Sequence, residues 1–517
     1  MRTLIFVLVT FLSVLGGTVS TARAGDDRLE RDSTLNWPMF GRDLQHTFSN
    51  SASLITPANV ASLSPAWDFP TEDVVSASPA IVNKMLYIGA WDGYFYALQA
   101  RTGSLIWKFA IDCQNSIVPS PPRCLAPGET SPPRFFTNGG LINSSAAVDE
   151  RHVFFAGGKT VYSLNASDGS LRWKTVICGK PEASDCAADS QDPSQVFSSP
   201  VILGNKLFVG HSTNGTDGYR GGFEALDVRT GEIIWRFEVD PILVNGEPAR
   251  NSHGQVVGGY NRGCGAVWSS AAVDARYGLI FFGTADCNSQ PLPPYHGALL
   301  SLDAETGAVK WVFRPERPNN CDYDIGASAN LIDFEGKHYV GVGGKDGTYY
   351  LLNRRTRNPG GELVWATNVV FGGSDGGFIG STAFSGARIF GATAIGDGDF
   401  DGSGRCASSN PRDVTIQDPS MHALNLVGGG LIWQAQHNHS LAASTIANGV
   451  VFSGLVGIEP FGVNAYDAAD GTLLATFPAP GSITSAAVPV GEMLFFGSGT
   501  SAFGTGGGVH ALTLPPR

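Results

Sequence analysis

The sequence predicts an all-β fold, an eight-bladed β-propeller, and three observations predict it. One pattern of twelve to seventeen residues recurs seven times, an eighth copy is split between the two ends, and the composition is rich in glycine and poor in charge. The pattern reads aromatic-x-Ala-Leu-Asp-x-x-Thr-Gly-x-x-x-Trp. Its copies are YALQARTGSLIW (96–107), YSLNASDGSLRW (162–173), FEALDVRTGEIIW (223–235), LLSLDAETGAVKW (299–311), YYLLNRRTRNPGGELVW (349–365) and MHALNLVGGGLIW (421–433). VNAYDAADGTLLA (463–475) ends in Ala475 instead of Trp.

Each part of the repeat has a physical reading. Alternating apolar residues make a strand, and an Asp or Asn then bonds the amides of a turn. Gly supplies the positive φ of that turn. A second strand follows and ends in a Trp large enough to dock between neighbouring sheets. Upstream of each copy lies another strand pair, such as SASPAIVNKMLYIG (76–89) or SSPVILGNKLFVG (198–210). Four short antiparallel strands make one blade. Val509-His510-Ala511-Leu512 is a third strand with no following Trp, and Ser64 to Phe69 is a fourth strand with no preceding turn. Pairing the two closes the ring and removes its open edges. The surplus length falls in segments 111–142, 178–196, 240–266 and 366–420, where function is expected on a rigid scaffold.

Composition narrows the function. Of 517 residues 66 are Gly, 15% are charged and the net charge is −12, which argues against a nucleic-acid partner. Arg2, the apolar run Leu4 to Leu15 and Ala22-Arg23-Ala24 read as a cleaved export signal over 1–24. The mature chain is then a propeller domain over 25–517 in the periplasm or outside the cell. No stretch is long and apolar enough for a membrane span. In an oxidising compartment the eight cysteines are expected in disulfides, out of 105 connectivities. The simplest order is Cys113–Cys124, Cys178–Cys186, Cys264–Cys287 and Cys321–Cys406. No C-x-x-C-H, G-x-G-x-x-G or H-E-x-x-H occurs, which argues against covalent c-type haem, a nucleotide-type dehydrogenase and a zincin.

The repeat, eight times around a ring, resembles that of the pyrroloquinoline-quinone (PQQ) dependent alcohol dehydrogenases, close to the polyvinyl-alcohol dehydrogenase branch. Three segments carry the resemblance. In GCGAVWSSAAVDARYGLIFFGTAD (263–286), Trp268 matches the tryptophan that stacks under the quinone, and Asp286 stands eighteen residues on, where the family has a metal-binding Asn. In CDYDIG (321–326) and GGKDG (343–347), Asp322 matches the catalytic base and Lys345 the cation beside the quinone oxygens. Asp324 resembles the extra aspartate of the lanthanide-using branch. In FVGHSTNGTDGYRGGFEALD (208–227), Asp217 stands for the metal-binding Glu, and Ser212 and Thr213, with Ser198 behind them, fall where hydroxyls hold the cofactor. The family arginine that grips a cofactor carboxylate has no match, and Asn143 lies near its place.

The resemblance implies oxidation of primary or secondary alcohols, polymeric ones included, by PQQ with Ca²⁺, or a lanthanide as the alternative metal. The electrons would go to an external acceptor, expected to be a cytochrome c. The rival reading is a propeller scaffold without cofactor, of the outer-membrane assembly type. Two lesser metal sites are also weighed: the acidic run Asp397-Gly-Asp399-Phe-Asp401-Gly402, spaced like a calcium loop, and the pair His437-x-His439.

Overall fold

The computed structural model describes residues 36–111, 142–180, 192–213, 219–240, 266–287, 294–316, 322–373, 376–394, 420–436, 439–456, 461–499 and 507–516, with the backbone of 243–244 and 247–248. Eight four-stranded antiparallel sheets stand around one axis. Blades 1 to 7 take residues 80–110, 147–176, 201–238, 272–313, 330–368, 383–435 and 445–478. Blade 8 joins 488–498 and Gly508–Thr513 to the N-terminal strand Ser64–Pro70, whose Asp68 faces His510 in register. The ring closes by the pairing of the two ends that the split repeat predicts.

The repeat's Trp and Gly form the inter-blade joint. Each Trp stands opposite its own third strand, next to a register shift, as in Trp107↔Ala97 and Trp433↔Ala423. Its indole then covers the turn glycine of the next blade. A Cβ on Gly169, Gly231 or Gly471 would lie within 2.7 Å of the ring of Trp107, Trp173 or Trp433 respectively. The indole N–H bonds the carbonyl three residues before that glycine, as in Trp107 to Ala166 (3.0 Å) and Trp173 to Val228 (2.9 Å). The turn glycines also carry positive φ, so both their backbone and their missing side chain are used. Where Ala475 replaces the Trp, this joint is missing.

Three rings of contacts surround the axis. In the middle ring, the hydroxyl of one blade's serine accepts the backbone N–H of the equivalent residue in the blade before. Thus Ser78 N–H bonds Ser145 (2.9 Å), Ser145 bonds Ser199 (3.0 Å), Ser199 bonds Ser270 (2.8 Å), Ser270 bonds Ser328 (2.9 Å) and Ser328 bonds Ser381 (3.0 Å). Three residues after these serines, on one side, the N-terminal segment 37–53 lies across the first strands. It exchanges backbone bonds with Ile81, Val148, Val273, Leu331, Phe384 and Ile446 in turn. Asn50 Nδ2 and Ser53 Oγ then reach Pro489 and Gly491 of blade 8. Seven of eight blades are thereby strapped at one end. Two residues before the serines, on the other side, lies the third ring, which carries the candidate site. The sequence reading foresaw the blades but neither the strap nor the serine belt.

Cys178 and Cys287 are each in a disulfide. The other six cysteines, residues 1–24, Asp217, His437 and the acidic run 397–402 lie outside the described residues. Among the described residues no helix is long and apolar enough to cross a membrane.

Candidate active site

The antiparallel order of each blade sends two connections to the same end: that between strands two and three, and that from strand four to the next blade. Among the described residues, backbone bonds stitch the first kind to the second across blade boundaries. Val267 N–H bonds His211 O (3.1 Å), Ile325 bonds Thr284 O (3.1 Å) and Phe378 bonds Gly344 O (3.0 Å). Ala285 N–H bonds Ala266 O (2.8 Å), joining blade 4's second connection to its own approach. Residues far apart in sequence are thus set side by side: Trp268 on the approach to blade 4, Asp286 on its second connection, Asp322 and Asp324 on the approach to blade 5, and Lys345 on that blade's second connection.

Their side chains form one connected cluster. Lys345 Nζ donates to Asp322 Oδ2 at 2.6 Å and lies 3.5 Å from Asp324 Oδ2. Trp268 Nε1 donates to Asp324 Oδ2 at 3.1 Å, and the Asp286 N–H to Asp324 Oδ1 at 2.7 Å. The side chains of Asp286, Asp324 and Lys345 are 8%, 8% and 7% exposed, whereas Asp322 is 44% exposed and reachable from solvent. Burial pushes the Asp324 carboxyl up to about 6, with Lys345 opposing and the Asp322 and Asp286 charges reinforcing. Burial alone would lower the Lys345 ammonium, but the adjoining Asp324 and Asp322 carboxylates outweigh it and raise its pKa. Asp322 holds φ +53°, in the left-handed region that aspartate tolerates better than most side chains.

Trp268 faces an axial cavity of about 140 Å³. The residues two before the serine belt line it, including Ser76, Asn143, Phe197, Gly326 and Leu441, and Phe40 of the strap reaches it from beyond the belt. The indole of Trp268 lies flat on Gly326, where a Cβ would come within 1.7 Å of Cζ2. On another blade, Trp91 Nε1 donates to Ser76 Oγ (2.8 Å), which leaves the Ser76 proton for Asn143 Oδ1 (3.1 Å). The Asn143 amide N–H groups are then available to the cavity.

The predicted hydroxyls divide. Ser198 is engaged inside blade 3, its Oγ accepting Gly210 N–H at 2.6 Å and donating to Gly210 O at 3.0 Å. Ser212 pairs its backbone with Gln195 in both directions. Thr213 is fully buried, and its Oγ1 has no partner among the described residues. Buried ion pairs hold this segment, including Arg220–Glu238 (3.2 Å) and Arg236–Glu224 (2.9 Å). The structure therefore brings Trp268, Asp286, Asp322, Asp324 and Lys345 together, sets Ser212 and Thr213 on the adjoining connection, and leaves Ser198 in a backbone link. Sequence reasoning passed over Gly326, although it ends the quoted CDYDIG run, and over His296, whose partner Asp286 lies ten residues upstream.

Comparison with known proteins gives the same direction. The profile described as the PQQ glucose/ethanol/alcohol dehydrogenase β-propeller domain matches residues 37–367. Lupanine 17-hydroxylase [cytochrome c] of a Pseudomonas species is 22% identical over 361 residues, covering 65% of this chain and 48% of that protein. Polyvinylalcohol dehydrogenase of Sphingopyxis sp. (strain 113P3) is 25% identical over 361 residues, 64% of this chain and 50% of that protein. The match thus spans about half the length of these curated relatives. The crystal structure of quinohemoprotein alcohol dehydrogenase from Comamonas testosteroni superposes with a TM-score of 0.71 at 19% identity, covering 95% of this chain and 83% of that one.

Proposed function

The chain belongs to the PQQ glucose/ethanol/alcohol dehydrogenase β-propeller family, and from that premise we propose that it oxidises primary or secondary alcohols, polymeric ones included, with PQQ and Ca²⁺. The observation that carries this reading is the hydrogen-bonded cluster of Trp268, Asp286, Asp322, Asp324 and Lys345 beside the axial cavity.

The residues fit the quinone and the cation. A flat indole face on the cavity and a buried Thr213 hydroxyl without a partner among the described residues suit a planar polyanion. Three carboxylates against one ammonium leave negative charge that a cation would offset. Asp286 would hold Ca²⁺ together with Asp217, with Asp324 added only for a lanthanide, and Trp268, Lys345, Ser212 and Thr213 would hold the quinone. Both oxygens of Asp324 already accept protein hydrogen bonds, which favours Ca²⁺ over a lanthanide. When bound, the quinone would supply a hydride acceptor for the alcohol carbon and the cation a Lewis acid.

The protein's own part is position and proton traffic. The exposed Asp322 carboxylate takes the hydroxyl proton of the alcohol, one of its oxygens held in direction by Lys345. The Lys345 ammonium, held between Asp322 and Asp324, would supply fixed positive charge to a quinone bound beside it. Trp268, pinned by Asp324 and Gly326, would offer its indole as a stacking face. Reoxidation by an external acceptor such as a cytochrome c, cleavage of the export signal before Gly25, a periplasmic or extracellular location, and the disulfide order Cys113–Cys124, Cys178–Cys186, Cys264–Cys287 and Cys321–Cys406 complete the reading.

The test is reconstitution of the exported chain with PQQ and Ca²⁺, following dye reduction over a panel of alcohols. Activity that needs PQQ and disappears in Asp322→Asn is expected. If PQQ binds with neither Ca²⁺ nor a lanthanide, the dehydrogenase reading fails and a cofactor-free recognition propeller replaces it.

A further inference from the structure

We propose that His296, backed by Arg314, is a positioning residue that fixes the Asp286 carboxylate as a cation ligand. The inference rests on the metal-quinone reading above and concerns how this chain uses an aspartate at that position.

The argument is one of donors and acceptors. Arg314 NH1 lies 3.2 Å from His296 Nε2, and a guanidinium can only donate. Nε2 is therefore the acceptor, and the imidazole carries its hydrogen on Nδ1. That hydrogen points at Asp286 Oδ1, 3.2 Å away. The same Oδ1 accepts the N–H of Cys287 at 2.7 Å. The carboxylate is thus oriented from the backbone and from a ring that is itself 4% exposed. Backbone bonds across the blade 4 connection, Gly297 N–H to Ala285 O at 2.7 Å, set His296 opposite Asp286.

The charge arrangement gives the pair its purpose. Lys345 bridges Asp322 and Asp324, so it answers the approach to blade 5. An aspartate at 286 adds a third carboxylate, and a second ammonium beside it would repel the cation it is meant to bind. A neutral imidazole delivers a hydrogen bond there instead, while the positive charge of Arg314 stays one ring further out, on an exposed side chain. Outer partners of this kind orient metal ligands and typically change metal affinity 10–100-fold when removed.

The experiment is a Tb³⁺ titration of the full chain with PQQ present, excited through tryptophan, followed by Ca²⁺ competition. His296→Phe is expected to weaken Ca²⁺ about 10-fold or more. His296→Asn keeps a donor at the place of Nδ1 and is expected to restore most of the affinity. In an Asp286→Ala background, His296→Phe is expected to cost nothing further. Arg314→Gln, at an exposed position, serves if His296→Phe does not fold, and is expected to weaken Ca²⁺ several-fold. Unchanged Ca²⁺ affinity in the folded histidine or arginine variants, or a full additional loss in the Asp286→Ala background, overturns the role of His296 and leaves the metal site standing. A wild-type chain that binds neither Tb³⁺ nor Ca²⁺ overturns both this inference and the metal-quinone reading.

Discussion

Gly326→Ala is the sharpest probe of how the site is built. A Cβ at 326 would stand 1.7 Å from Trp268 Cζ2, 1.8 Å from Cη2 and 2.6 Å from Cε2. Carbon atoms in contact sit about 3.5–4.0 Å apart, so the indole must move by about 2 Å. The Trp268 Nε1 bond to Asp324 Oδ2, now 3.1 Å, cannot survive that movement. A hydrogen bond to a charged group contributes about 1.5–3 kcal/mol, which corresponds to roughly 10–100-fold in the affinity of a ligand stacked on that ring. Gly326 has no positive φ, so alanine costs nothing in backbone strain and the whole effect passes through the tryptophan. The assay is PQQ titration followed by quenching of tryptophan fluorescence, with near-ultraviolet circular dichroism reporting the ring. Gly430→Ala, where a Cβ meets nothing within 4 Å, is the control. If Gly326→Ala binds PQQ within threefold of wild type and keeps its near-ultraviolet spectrum, Trp268 is not the platform described above.

Three further outcomes are expected. Burial lowers the His46 imidazole from 6.5 to about 3, and neither ring nitrogen has a partner among the described residues. The unfolded chain therefore binds more protons between those values, and the stabilising contribution is complete above pH 6.5 and lost as pH falls towards 3. His46→Leu should remove about 2–3 kcal/mol of the stability difference between pH 7 and 4.5 in urea titrations; parallel curves for the two proteins would refute this. Lys345→Met leaves Asp322 and Asp324 without their ammonium, so dye reduction should fall about 100-fold or more, with Lys345→Arg recovering part of it. Asn143→Leu removes amide donors from the cavity and should weaken PQQ about 10-fold in the same fluorescence titration; equal affinity would mean that the Trp91–Ser76–Asn143 chain serves only the fold.

The sequence alone determined the blades, because their causes are local. An alternating strand, an Asp or Asn on turn amides, a glycine at positive φ and a terminal Trp act within about a dozen residues, and Asp227 and Asp303 cap their turns as that reading expects. The split eighth copy predicted ring closure, and Asp68 opposite His510 is its outcome. Trp268, Asp286, Asp322 and Lys345 were legible through spacing and resemblance. What the tertiary structure decided is how these residues meet. The bond from Trp268 to Asp324, the seating of that indole on Gly326 and the stitching of one blade's connection to the next blade's approach all cross a blade boundary. No local pattern encodes such contacts, since they depend on the angle that eight closed blades impose. The strap shows the same division: residues 37–53 have neither strand period nor repeat, and they find partners only after the first strands of seven blades stand around the axis.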